Sequence, residues 1–229
     1  MRRQFIKLFD VAVLRVLRSH CQDFVVFFAL VDHCHQSDST SLNQCQWSNR
    51  FLAENEDVKR ALMTTLFQLG GESSIPELIT VANDSMLDES FRAYAIDALG
   101  RLRATKARSY LEEAAEEMSP VVRRAAIIAL GLMESESSLD LIGERIGDND
   151  QQVRIEAIRA VKAMAKRRSV SYLINEIETE DPETLDEIIE ALRVITGKKM
   201  GYDTEKSLEE NGPVVKKWMA WWEENKGGY

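Results

Sequence analysis

Chemistry in this 229-residue chain would have to begin at three histidines and three cysteines, the side chains that ligate metals, move protons near neutral pH and act as nucleophiles. All six, His20, Cys21, His33, Cys34, His35 and Cys45, fall between positions 20 and 45, and none follows. His33, Cys34 and His35 beside Cys21 and Cys45 supply enough donors for a zinc ion. No paired C-x2-C spacing organises them, however, and three thiols cannot all pair with one another, so they read as free and reduced. With no histidine after His35, the rest of the chain cannot assemble a Ser-His-Asp or Cys-His constellation. Neither a G-x-x-x-x-G-K-[ST] loop nor a G-x-G-x-x-G turn is present to cradle a nucleotide. The expectation is a protein with no catalytic residues, no cofactor and no assigned metal ligands.

Ionic side chains are spaced more regularly than reactive ones. Lys59, Arg92, Arg123 and Arg154 follow one another at intervals of 33, 31 and 31 residues. A basic stripe would bind phosphate; the expected use is a ladder of structural ion pairs, with acids of the preceding turns, Asp88 and Asp150, as candidate partners. Acids recur as well. Thr80, Glu113, Glu144 and Asn175 form one series and Asp84, Glu117 and Asp148 a second, with Glu112, Glu116, Asp140 and Glu176 nearby. Set side by side on packed helices, about 10 Å apart, these residues would make an acidic ridge that favours a basic protein surface. The plain alternative is a solvated, Glu-rich helix face. A net charge of −9 and a pI of about 5.0 argue against nucleic acid as the partner, because phosphates would be repelled.

The elements that carry these rows are read from a repeat. FRAYAIDALGRL begins at Phe91, VRRAAIIALGLM at Val122 and VRIEAIRAVKAM at Val153, each 31 residues after the last. A weaker copy, VKRALMTTLFQL, begins at Val58, and a degraded one, TLDEIIEALRVI, at Thr184. Five units at a fixed period are the mark of a stacked-repeat protein. In each unit the first helix carries one apolar stripe, as in Val153, Ala157, Ala160, Val161 and Met164. A shorter second helix follows: Ile75, Leu78, Ile79 and Ala82 correspond to Leu139, Ile142 and Ile146, and to Val170, Leu173, Ile174 and Ile177. Neither helix buries its stripe alone, so consecutive pairs must stack. Four prolines, eleven glycines and 45% apolar residues suit helix throughout and a substantial core.

The pattern of an apolar residue and Arg, then A-x-x-A-L-G-x-L and a short second helix, resembles a HEAT repeat. The match covers about Val58 to Ile195. The period is shorter than the roughly 40–47 residues of typical HEAT and armadillo units, and is closer to the compact HEAT-like repeats of phycobilisome lyases and many bacterial proteins. The resemblance implies an all-α, α-α superhelix of about five pairs, with the short helices on the concave side and the recurrent arginine tying a repeat to its neighbour's turn. It implies a non-catalytic protein-interaction scaffold in a bacterium, or alternatively a subunit of a bilin lyase or a bilin-binding protein, although no residue is assignable to tetrapyrrole chemistry. The repeated His-Glu pairs of the HEAT-repeat deoxyhypusine hydroxylases are missing. An acidic face also departs from the basic, aromatic-lined groove of the HEAT-like alkylpurine DNA glycosylases.

The ends differ from the middle. Residues 1–50 hold an amphipathic pattern from Phe5 to Leu17 and the run FVVFFALV from Phe24 to Val31, and eight apolar residues fall short of the roughly 20 that cross a bilayer. This segment reads as a helical cap or extension, with a signal peptide and a metal site as the other readings. The polar stretch Ser37–Asn49 reads as a linker, residues 51–197 as the solenoid and 198–229 as a capping helix and tail. Gly212 and Pro213 are expected to open that last helix, whose Val214, Val215, Trp218, Trp221 and Trp222 share a face and read as a lid on the last repeat. Without a convincing signal, the expected compartment is the cytoplasm, with export left open. Oligomeric state is not legible.

Overall fold

A computed structural model describes residues 71–229, which form helices and turns with no strand among the described residues. The cap, metal-site and signal readings of residues 1–50, the linker, Lys59 and the helix expected from Val58 lie outside them. The chain divides into two compact units, Met1–Ala98 and Leu99–Tyr229.

In the first unit, α1 (Ile75–Asn83) carries Pro76 in its first turn, where a missing N–H costs nothing, and buries Leu78 and Ala82 completely. A turn leads to α2 (Glu89–Arg101), whose residues from Leu99 onward, Gly100 included, belong to the second unit; it begins where the Asp88 carboxylate accepts from the Ser90 and Phe91 amides. Its Phe91, Ala95 and Ile96 are buried.

In the second unit long and short helices alternate: α3 (Arg108–Ala114), α4 (Pro120–Leu132), α5 (Leu139–Glu144), α6 (Gln151–Met164), α7 (Val170–Asn175) and α8 (Pro182–Thr196). The long helices pack side by side, α4 on α6 and α6 on α8. Each short one lies against the long helix that follows it, and α5 meets α7. Every member of the expected α6 stripe is buried, as are Leu139, Ile142, Ile146, Val170, Leu173, Ile174 and Ile177. Ile155 is buried too, because α6 is covered by long helices on two flanks and a short one beneath. These are the packed helical pairs of an α-solenoid.

Close approach of the long helices depends on two glycines. A Cβ on Gly100 would sit 2.6 Å from the Ala129 Cα, and one on Gly131 would sit 2.8 Å from the Ala160 Cβ. Each glycine faces the alanine 29 positions later, so the A-L-G motif is the packing register written in sequence. Long helices end at equivalent residues in the left-handed region: Arg103, Glu134 and Ala165 have φ of 47°, 51° and 50°, and Gly197 closes α8 at 72°. Only the last has the residue type that conformation favours.

The final helix, α9 (Leu208–Asn225), begins earlier than Gly212 and Pro213 suggest. Ser207 and Glu210 form a capping box that starts it at Leu208, which leaves Pro213 inside the helix. The box is followed by polar residues rather than an apolar run, so periodicity does not find it. The helix packs on α7 with Trp218 fully buried and Val214 and Trp221 nearly so, while Val215 and Trp222 are only partly covered. Trp218 meets Trp221 edge to face at 5.6 Å, Tyr229 meets Trp221 at 5.4 Å, and Lys198 lies over the Trp221 ring. Among the described residues neither buried indole N–H has a hydrogen-bond acceptor. The tryptophan stripe is packed.

Candidate interaction face

The recurrent arginines are structural. In the first unit Arg92 is buried and donates from Nε to the Ala82 carbonyl at 2.8 Å, holding the end of α1. Arg123 donates to the Glu117 and Met118 carbonyls and, through Nε and Nη2, to both carboxylate oxygens of Asp148 at 2.9 and 2.7 Å. Arg154 repeats the arrangement one unit later, with the Asp148 and Asn149 carbonyls and with Asp181 at 3.1 Å. The ladder is therefore present at Arg123 and Arg154, whose carboxylate partners are Asp148 and Asp181. The preceding turns supply carbonyls, and the carboxylate comes from the turn that follows. Asp88 and Asp150 are occupied as helix caps.

This geometry sorts the acidic rows. Asp148, expected on the ridge, has a side chain only 4% exposed and is engaged by Arg123. Burial pushes its carboxyl up, but the Arg123 guanidinium, the Asp150 amide and the charge of Arg145 outweigh burial and hold it below the ordinary carboxylate range. Glu112 accepts from the Ser138 hydroxyl at 2.7 Å. Asp140 is exposed but engaged, taking both oxygens to Arg168 and the Tyr172 hydroxyl at 3.1 Å. Glu117 is half-buried and also engaged.

What remains is a smaller set. Glu113, Glu116, Glu144, Asn175 and Glu176 are exposed, and among the described residues their side chains make no hydrogen bond or ion pair. Glu113, Glu144 and Asn175 occupy the ends of α3, α5 and α7 at intervals of 31 residues, and Glu116 and Glu176 lie just past two of those ends. All sit at helix C-termini, where the unpaired carbonyls already concentrate negative charge and where an acid opposes local stability. Thr80, which begins the series in the sequence, belongs to the first unit and donates its hydroxyl to the Pro76 carbonyl. Asp84, at the head of the other series, is in that unit as well and accepts from the Met86 amide.

Tyr172 is the feature that residue type alone does not reveal. Its ring lies on Gly143, where an added Cβ would come within 2.5 Å of the ring, and Asp140 fixes its hydroxyl. The available signal is positional: Gly143 precedes Tyr172 by 29 residues, the same offset as Gly100 to Ala129. Beside this face, an open cleft of about 500 Å³ is lined by Gly147, Asp148, Asn149, Arg154, Glu176, Thr179, Glu180 and Asp181. It contains carboxylates, amide groups and an arginine engaged by Asp181. It can accept hydrogen bonds and attract cations. Among the described residues no three His, Cys, Asp or Glu side chains are grouped to hold a metal, and no helix is long and apolar enough to cross a membrane.

A family model described as HEAT repeats matches residues 48–131 and again residues 86–150. Comparison with curated proteins finds no match. The matched residues include the units beginning at Phe91 and Val122, whose arginines, A-L-G glycines and left-handed helix ends recur at 31-residue intervals in the structure. Packed long-and-short helical pairs and the repeat match agree: residues 48–150 match HEAT repeats, and the described helices pack as a HEAT-like α-solenoid.

Proposed function

We propose that this protein is a non-catalytic scaffold that binds a basic protein surface on the face bearing Glu113, Glu144 and Asn175, with Glu116 and Glu176 at its edge. HEAT repeats generally mediate protein–protein interaction. The observation that carries the more specific reading is the selective pairing of the acids. Those that hold the stack together are covered by arginine, whereas Glu113 and Glu144 at the ends of two successive short helices, and Glu116 and Glu176 just past two ends, are exposed and unpaired, where they oppose local stability. Unneutralised charge presented in register at about the pitch of packed helices raises the encounter rate and the selectivity for a positively charged partner.

The test is capture from native cell extract by the unaltered protein and by a Glu113→Lys, Glu144→Lys double variant. Both side chains are solvent-exposed, so helical circular dichroism should be unchanged. The expected result is a basic protein retained by the unaltered chain, released by moderate salt and bound at least about tenfold more weakly by the double variant. Capture that survives the charge reversal would remove this face from consideration.

A further inference from the structure

We draw no further inference here: the strongest candidate, the apolar stripe of Val121, Ala125, Ile128 and Leu132 on the face of α4 opposite its buried side, has nothing in the structure to show what covers it.

Discussion

At the scale of single residues, this fold depends on where a Cβ fits and where a left-handed turn falls. Gly100→Ala adds a methyl 2.6 Å from the Ala129 Cα, a backbone atom that cannot swing aside. The helices must separate, and a loss of about 2 kcal/mol is expected even after the helical preference for alanine is credited. Gly147→Ala is the control. Its Cβ would meet only the mobile end of Glu176 at 3.1 Å, so the denaturation midpoint should hardly move. Equal losses at the two sites would mean that close helix approach is not what Gly100 provides. Ala165→Gly should act in the other direction. Alanine at φ of 50° carries a steric cost that glycine lacks, so the variant should gain about 0.5–1 kcal/mol in urea unfolding. The A-L-G motif shows in the sequence that these glycines recur, but not what each one approaches. The left-handed turns were not legible from residue type, since Arg103, Glu134 and Ala165 share nothing chemically, and only the 31-residue period reveals them as equivalent.

At the scale of helices and turns, stability turns on ion pairs that staple one repeat to the next. Arg123 and Asp148 are 13% and 4% exposed, whereas Arg103 and Glu134 are 64% and 66% exposed at a similar distance. Removing one member of the covered pair leaves a carboxylate or guanidinium without its partner, so Arg123→Ala should cost about 3 kcal/mol. Arg103→Ala should stay within about 0.5 kcal/mol because water screens that pair. Urea unfolding of the two variants checks this, and similar losses would contradict the distinction. Acid should find the same staples. Asp148, Asp181 and Glu187 are each pushed up by burial and pulled down further by their donors: Arg123 for the first, Thr184, Arg154 and Gln151 for the second, and Lys162 and Arg159 for the third. Their folded-state pKa values therefore lie below the unfolded ones. Their contribution is complete above about pH 5 and disappears as pH falls through the folded values, because the unfolded chain takes up protons first. The unfolding midpoint should drop between about pH 5 and pH 3, and Asp148→Asn with Asp181→Asn should flatten that drop while lowering stability at neutral pH. A sequence can show that an arginine recurs, but not which of two flanking turns it reaches. Asp148 and Asp150 are two residues apart, so only backbone direction separates the ion-pair partner from the helix cap.

At the scale of the whole molecule, the repeat period made the architecture legible, because five copies of one amphipathic pattern admit few packings other than a stack. The candidate face was legible only in outline. The repeat period puts Glu113, Glu144 and Asn175 at equivalent helix ends, but covalent sequence does not record that Arg123 engages Asp148, or that Arg168 and Tyr172 share Asp140. A stack built from neighbour contacts also has an end, which must be closed by something other than another repeat. The expectation from the sequence is that α9 closes it; α9 packs on α7, and its Trp218 is fully buried. The connection leading to it is tied down by the Tyr202 hydroxyl on Asp186 at 2.6 Å and by Arg193 on the Tyr202 carbonyl at 2.9 Å. Trp218→Ala opens a large cavity at that junction and should cost about 3–5 kcal/mol. In a one-dimensional assembly the loss should not spread evenly. Amide hydrogen exchange in the variant should accelerate most in α7 and α8, while α4 and the centre of α6, which keep their neighbours, retain more of their protection. If every amide from α4 to α9 accelerated by the same factor, residues 99–229 would be unfolding as one cooperative block. The tryptophan helix would then be part of a shared core rather than the closure of a stack.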